Sequence, residues 1–269
     1  MDWSNWLFQH EVQVRLGCFI GVFCLMAVWE AIKPCRQLHY SRVLRWSNNL
    51  ALVALNSLIL RLLFPAAAVS VAHYAHTNQW GLLNYIGLPE LFEVILAVIL
   101  LDLLIYWQHV LFHKVPLLWR LHRVHHVDPD YDVTTGIRFH PIEIVLSMLL
   151  KFAAVLLLGP SAAAVLIFEV VLNGSAVFNH ANVRLPALSD KVVRWVLVTP
   201  DMHRVHHSWI RSETDSNYGF ALSCWDRIFS TYQEQPAKGH QNMDIGLAEF
   251  TDVKQISWLT GILKIPFRR

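Results

Sequence analysis

Residues 91–114 read LFEVILAVILLDLLIYWQHVLFHK, and this stretch decides the fold. From position 91 to 111 it is almost entirely apolar, and a helix needs about 20 such residues to cross the hydrocarbon core of a bilayer. The stretch ends on His109 and His113, which lie four positions apart and therefore share one face of a helix. It predicts a membrane-spanning helix whose last turns present two imidazoles to a metal ion.

The whole chain is apolar for its length. Of its 269 residues, 55% are hydrophobic and 16% are charged, whereas soluble domains carry about 25% charged residues. The net charge of +2 is too small to imply a nucleic-acid partner, and the four cysteines show no spacing typical of a disulfide framework or a zinc ribbon. The composition thus excludes a disordered, coiled-coil or disulfide-stapled protein.

Four further apolar stretches accompany the first, at positions 12–32, 50–72, 142–158 and 162–178. The last two are at the short limit for a span and are joined by Gly159-Pro160-Ser161. They are either two full spans or a helical hairpin that enters the bilayer partway. Five such stretches disfavour the alternative of core helices in a soluble protein. We expect an all-α, polytopic integral membrane protein, with a helical cytosolic cap from residue 185 onward.

Lysine and arginine are distributed asymmetrically between these stretches. Residues 73–90 contain neither, whereas the segments after the first, third and fifth stretches contain several. Because positively charged loops remain in the cytoplasm, we expect the N-terminus and residues 73–90 outside. The histidine clusters and the C-terminus are expected on the cytoplasmic side of a bacterial inner membrane or, in a eukaryote, of the endoplasmic reticulum.

Nine of the fifteen histidines form short clusters, and the parity of the crossings brings all nine to one membrane face. They are His109, His113, His122, His125, His126, His180, His203, His206 and His207. Without a metal, crowded neutral imidazoles would leave ring nitrogens unpaired. Nine ligands exceed the coordination sphere of one ion, so we expect two. A closed zinc site would use four ligands, and no HExxH motif is present, so the pattern favours iron and dioxygen.

These motifs resemble the fatty acid hydroxylase and sterol desaturase superfamily, in particular its bacterial members. The resemblance rests on the HxxxH pair, the two HxxHH motifs and the segments NHANVR (179–184), TPDMHRVHHS (199–208), TDSNYG (214–219) and WDR (225–227). It implies a catalytic domain at 91–232 that carries a di-iron centre held by the nine histidines. Residues 1–90 would then hold two N-terminal membrane helices, and 233–269 a C-terminal cytosolic tail.

One position departs from the family pattern. Some members carry a second histidine four residues after the one that matches His180, and Arg184 stands there in this chain. A tenth protein ligand is therefore missing, or is replaced by His140 or by a water on Asn179.

Five polar residues are candidates to hydrogen-bond to ligating histidines and so to orient them. They are Asp102, His140, Glu169, Asn179 and Asp201. Asp102 lies seven residues before His109 inside an apolar span, where an acid is costly and by default functional. Glu169 precedes His180 by eleven residues, and its alternative role is a hydrogen bond between helices without relation to the metal.

The resemblance implies an oxygen-dependent lipid hydroxylase or desaturase. Its cofactors would be two iron ions, which zinc readily replaces in purified protein, with dioxygen as co-substrate and a lipid from the bilayer as substrate. The chain shows no flavin, NAD or haem fingerprint, so electrons would come from a donor protein or a soluble reductant. Two alternatives remain: a pterin-dependent enzyme like the ether-lipid (alkylglycerol) monooxygenases, and a non-enzymatic metal-binding or transport protein. Transport is disfavoured because its ligands would lie near the bilayer midplane.

Overall fold

The computed structural model of the protein describes residues 3–64 and 66–268. In that part of the chain the regular structure is helical, and β-pairing is limited to two isolated bridges. In chain order the α-helices are α1 (Trp3–Gln9), α2 (Glu11–Ile32), α3 (Arg42–Leu63), α4 (Ala68–Thr77), α5 (Leu82–Ile86), α6 (Glu90–Lys114), α7 (Pro116–His126), α8 (Pro141–Leu158), α9 (Ala162–His180), α10 (Ala187–Val193), α11 (Pro200–His206), α12 (Arg211–Thr214), α13 (Cys224–Ile228), α14 (Gly239–Asn242), α15 (Val253–Ser257) and α16 (Leu259–Ile262). Two 3₁₀ turns lie at Thr135–Ile137 and Ile265–Phe267.

Four of the described helices, α2, α6, α8 and α9, are long and apolar enough to cross a membrane, and a fifth candidate segment, Arg42–Ile86, contains α3 and α4. They match the five predicted stretches, so the all-α polytopic architecture is confirmed. The second stretch differs in its bounds, because α3 ends at Leu63 and a separate helix, α4, begins at Ala68. Position 65, which lies outside the described residues, is a proline, and proline cannot donate the backbone hydrogen bond that a continuous helix requires.

Helix α9 is the central element of the bundle. It packs against α2, α4 and α6, while α3 packs against α8. The buried side chains of Leu101, Ile105 and Phe168 belong to the core between these helices. The opposite side of α2 exposes large apolar residues, with Leu25 62% and Ile32 79% accessible. Such an apolar outer surface is what a helix in contact with lipid presents.

The bundle has two ends with different roles. We call the end where α6 and α9 finish the histidine end, and the end where they begin the distal end. At the distal end the carboxylate of Glu93, in the first turn of α6, accepts hydrogen bonds from the backbone N–H and the hydroxyl of Ser161, both at 2.9 Å. The turn between α8 and α9 therefore reaches the same level as the start of α6.

The histidine end is covered by α7 and by the short helices α10 to α16. The C-terminal segment is packed tightly there, since Ile256, Ile262 and Ile265 are buried together with Leu52 of α3 and Val124 of α7. Arg123 of α7 also donates to the carbonyl of Ile265 at 2.6 Å. The predicted tail, 233–269, is thus part of the wall that surrounds the histidines.

Candidate metal centre

The structure brings the nine clustered histidines together at the histidine end, and each is at most 6% exposed. They form two groups in which one nitrogen from each residue lies within 4.8 Å of the others. The five-histidine group contains His109, His113, His122, His126 and His206, and the four-histidine group contains His125, His180, His203 and His207.

The two HxxHH motifs divide between these groups in opposite ways. On α7 the outer pair, His122 and His126, joins the five-histidine group, and the middle His125 joins the other. In the second motif the outer pair, His203 and His207, joins the four-histidine group, and His206 crosses over. Each group therefore has an i, i+4 pair from one motif and a single imidazole from the other, as two facing helices allow.

The histidines outside the two HxxHH motifs explain why one group is smaller. His109 and His113 supply a second i, i+4 pair to the five-histidine group, whereas His180 stands alone in the other. Helix α9 ends at His180, and Arg184 is turned away to pair with Asp201 at 3.1 Å. Arg184, where this chain departs from the family pattern, thus coincides with the missing fifth histidine of the four-histidine group.

Hydrogen bonds at Nδ1 orient several of the rings. The Nδ1 atoms of His109, His180 and His206 lie 2.8, 2.7 and 2.7 Å from the carbonyl oxygens of Tyr218, Ala176 and Ser216. Because a carbonyl only accepts, Nδ1 carries the proton in each ring and Nε2 keeps a lone pair. The Nε2 atom of His180 lies 3.1 Å from that of His125 and 3.0 Å from that of His203, so lone pairs converge on one point.

Many of the inward ring nitrogens are buried and have no hydrogen-bond partner among the described residues. They include Nε2 of His109, His122 and His206 and both nitrogens of His113, His126 and His207. Unpaired buried polar atoms are costly, and a metal ion would satisfy them. The donor set is entirely neutral nitrogen, which suits iron, zinc and copper. The residues therefore fit two metal ions.

The protonation state favours ligation. Burial lowers the pKa of His122 to about 3. Burial and the neighbouring imidazoles also lower the pKa of His125, His126, His203, His206 and His207 well below the ordinary value. These side chains are neutral at pH 7, which is the form that binds metal.

Glu143 is a functional candidate that the sequence did not single out. Its Oε1 lies 2.7 Å from Nδ1 of His122, and the carboxylate is 3% exposed. A carboxylate at this position fixes the ring tautomer and strengthens the ligand. The sequence signal that could have identified Glu143 is an acidic residue in the first turn of an apolar stretch, three residues after His140.

Asp102 acts on the histidines indirectly. Its carboxylate accepts from the backbone N–H groups of Ala221 and Leu222 and, at 2.8 Å, from Nε1 of Trp225. It thereby holds the segment whose Tyr218 carbonyl bonds to His109. The structure shows no direct hydrogen bond between Asp102 and a histidine in the described chain.

The other four candidates occupy different positions. His140 caps α8 by accepting from the N–H of Ile142 at 3.2 Å, and it belongs to neither group. Asn179 donates to the carbonyl of Phe220 at 2.6 Å, and its side-chain oxygen has no hydrogen-bond partner among the described residues. Asp201 pairs with Arg184 and Arg204. These side chains position the elements around the centre.

Glu169 is not brought to the histidines. Its carboxylate instead accepts from Lys151 at 2.8 Å and from Arg15 at 3.0 Å. Glu169 therefore links helices, which was the alternative role predicted for it. Its carboxylate binds cations on α8 and α2, which lie closer to it than any imidazole.

Two buried charged side chains anchor the loops beside the four-histidine group. Glu30 at the end of α2 accepts from the N–H groups of Val133 and Asn182, both at 3.1 Å. Arg45 of α3 donates two hydrogen bonds, of 2.9 and 2.7 Å, to the carboxylate of Asp128. These contacts fix the chain after α7 and after α9, and therefore the positions of His125 and His180.

A cavity of about 700 Å³ leads to the five-histidine group. At the histidine end it is lined by His109, His122, Glu143 and Phe139. It extends between α2, α3, α8 and α9 to Phe64 near the distal end. Its size falls within the range of small-molecule sites, so it can hold a ligand of that size beside the histidines.

The fold and the paired histidine groups define the class of this protein as an all-helical integral membrane protein with two histidine groups that could hold metal ions. A family model for fatty acid hydroxylases matches residues 94–231. The chain belongs to the fatty acid hydroxylase family.

Curated relatives include three enzymes named for lipid oxidation. Ornithine lipid hydroxylase OlsE of Rhizobium tropici is 26% identical over 243 residues, which cover 85% of this chain and 69% of OlsE. Human alkylglycerol monooxygenase is 30% identical over 138 residues, 49% of this chain and 29% of the human protein. The cholesterol 25-hydroxylase-like protein of Danio rerio is 27% identical over 254 residues, covering 84% of this chain and 94% of that protein. The chain thus spans less than a third of the human monooxygenase, and no solved structure matches it significantly.

Proposed function

We propose that this protein is a membrane-bound, di-iron, oxygen-dependent lipid hydroxylase. The observation that carries the proposal is the meeting of two neutral histidine groups with a membrane-embedded cavity at His109 and His122. The relative that aligns with most of this chain among those named above, OlsE, is called a lipid hydroxylase, which supports hydroxylation as the reaction.

When bound, two iron ions would supply the activation of dioxygen, which no amino-acid side chain can perform. Hydroxylation inserts one oxygen atom into a lipid C–H bond, and the other leaves as water with two electrons and two protons. The electrons would come from an external donor protein or soluble reductant that reaches the histidine end. On the proposed topology that end faces the cytoplasm.

The residues of the chain orient the ligands and exclude water. His109 and His206 are held by backbone carbonyls, so their lone pairs keep a fixed direction. Glu143 holds the proton on Nδ1 of His122. Phe112 and Phe139 line the cavity beside these rings and present apolar surface to the lipid chain. These two aromatic rings support the proposal, because they would pack against the chain of a lipid bound beside the histidines.

The test is metal content together with oxygen incorporation. Full-length protein expressed with iron and placed in lipid nanodiscs should hold about two metal ions per chain, because nine ligands need two coordination spheres. With a chemical reductant and isotopically labelled dioxygen, mass spectrometry of a total lipid extract should show a labelled hydroxylated lipid.

The matched variants are His206→Ala and His76→Ala. His206 lies in the five-histidine group, so its loss should abolish turnover and lower the metal content. His76 is exposed in α4 at the distal end, and its replacement should change neither. One metal ion or none in the wild type contradicts the dinuclear centre, and an unlabelled lipid extract with two ions bound contradicts the hydroxylase.

A further inference from the structure

The cavity carries charged residues in the half that lies away from the histidines. Lys151 and Arg15 both bind the carboxylate of Glu169, at 2.8 and 3.0 Å. The side chains of Lys151 and Glu169 are 14% and 6% exposed, and both lie in membrane-spanning helices. Charged groups at such depth are costly and by default functional.

The charges in this half of the cavity do not cancel. Arg61 in the last turn of α3 and Glu11 in the first turn of α2 line the same region. With Arg15, Lys151 and Glu169 they make three cations against two carboxylates. When Glu143, which binds His122 at the other end of the cavity, is counted with the histidines, the distal half has an excess of one positive charge, which one anionic group of a ligand would balance.

The polar lining continues toward the metal centre. On α8 the residues Glu143, Ser147 and Lys151 are spaced by four and share the face that lines the cavity. Ser147 accepts from Gln108, the neighbour of His109, at 2.8 Å. Glu143 and Lys151 are eight residues apart, so the charged cluster lies about 12 Å along the helix axis from the carboxylate that holds His122.

Several acceptors in the cavity have no hydrogen-bond partner among the described residues. Oδ1 of Asn56, a residue that is 7% exposed, is one, and Oε1 of Gln108 and Oε2 of Glu11 are the others. A bare hydrocarbon or a largely apolar sterol would leave these atoms unsatisfied. Hydrogen-bond donors, such as hydroxyl groups or ordered water molecules, would satisfy these acceptors, so they indicate a polar occupant of the cavity and do not bear on the charge of its head group.

We infer that the substrate is an anionic lipid whose carboxylate or phosphate binds to Arg15 and Lys151, while its chain extends toward His109 and His122. The reacting carbon then lies about 12 Å from the anionic group, at the other end of the α8 face. This inference rests on the proposed function, because it names the substrate class of the same cavity.

The experiment measures binding without turnover, on full-length protein in detergent with no reductant. The probes are hexadecanoate, hexadecyl phosphate and hexadecanol, which share one chain and differ in the head group. We expect the anions to bind at least about tenfold more tightly than the alcohol, because hydrogen bonds between charged groups are stronger than those between neutral groups. The tighter of the two anions identifies the natural head group as carboxylate or phosphate.

The variants are Lys151→Met and Arg15→Met, with Lys33→Met as the control. Each cavity variant should weaken anion binding about tenfold and leave hexadecanol binding unchanged, because it removes charge and retains an apolar chain. Lys33 is exposed at the opposite end of the helix that carries Arg15, and its replacement should alter neither affinity. Hexadecanol binding also reports whether a variant retains a folded cavity.

Equal binding of the three probes to the wild type would overturn the inference. So would a loss of hexadecanol binding in both cavity variants, because the cations would then support the bundle and not a ligand. If the anions bind selectively and no lipid is ever hydroxylated, the proposed function fails while the anionic site stands.

Discussion

Among the described residues, the contact between Glu143 and His122 is the shortest between a carboxylate and any of the nine histidines. Oε1 and Nδ1 are 2.7 Å apart, with both residues buried. The carboxylate of Asp215 lies 3.4 Å from Nδ1 of His113 and does not form a hydrogen bond with it. Since the metal would bind through the opposite nitrogen, Glu143 controls both the tautomer and the orientation of the ring.

Glu143→Ala should lower metal affinity at the five-histidine group by about 10–100-fold, the usual effect of removing a partner of a ligand. Glu143→Gln keeps an acceptor oxygen and should lose less. Titration with iron or zinc against a competing chelator measures this. Glu93→Ala is the control, since Glu93 is also buried but binds Ser161 at the distal end. Unchanged affinity in Glu143→Ala would show that the ring is held without the carboxylate.

The lowered histidine pKa values predict acid sensitivity of the metal-free protein. In the unfolded chain each histidine gains a proton as the pH falls below about 6.5, whereas in the folded chain His122 does so only near its pKa of about 3. The unfolded state therefore binds more protons between these values, and stability rises with pH. Each such histidine contributes a slope of about 1.4 kcal/mol per pH unit.

Thermal unfolding of metal-free and metal-loaded protein between about pH 8 and pH 5.5 tests this linkage. The metal-free protein should lose stability steeply below about pH 6.5, and the loaded protein should resist until protons compete with the metal. A flat profile for the metal-free protein would mean that the histidines titrate alike in the folded and unfolded states.

At the scale of helices, the turn between α8 and α9 depends on one glycine. Gly159 ends α8 with φ +66°, and a Cβ there would lie 2.0 Å from the carbonyl oxygen of Trp80. Gly87 ends α5 with φ +67° and has open space around it. The two positions share the left-handed backbone and differ only in crowding.

Gly87→Ala should cost about 1–2 kcal/mol, the strain of a side chain in the left-handed region. Gly159→Ala should cost more, because the backbone of Trp80 would also have to move. Thermal unfolding of the two variants in the same detergent measures the difference. Equal losses would show that the contact between the α8–α9 turn and Trp80 is not tight in solution.

The helices were predictable from the sequence because their signals are local. Apolar runs identify the spans, and the spacings of His109 with His113 and of the HxxHH motifs identify the helix faces. The division of the histidines into two groups was not predictable, because it depends on how α7 and α11 face each other. The partners of Glu169 were not predictable either, because they also depend on how helices pack: Arg15 lies 154 residues away along the chain.

At the scale of the whole molecule, the two ends of the bundle have opposite character. The histidine groups and the C-terminal helices lie at one end, and residues 73–90, which contain no lysine or arginine, lie at the other. The cavity connects them. If the lysine and arginine asymmetry sets the orientation, the metal centre faces a cytoplasmic electron donor and the charged end of the cavity lies toward the outer leaflet.

Cysteine labelling in intact cells tests that orientation. In a background with the four native cysteines replaced, Tyr85→Cys should react with a membrane-impermeant maleimide and Gln235→Cys only after lysis. Tyr85 is 90% exposed at the distal end, and Gln235 is exposed at the histidine end, so both are accessible once reagent reaches their side. The reverse pattern would place the histidines outside. A cytoplasmic donor could then not reach the centre, and the electrons for hydroxylation would have to come from the opposite compartment. Labelling at both positions in intact cells would contradict a membrane-spanning bundle, because Glu90–Lys114 separates the two ends by about 35 Å of helix.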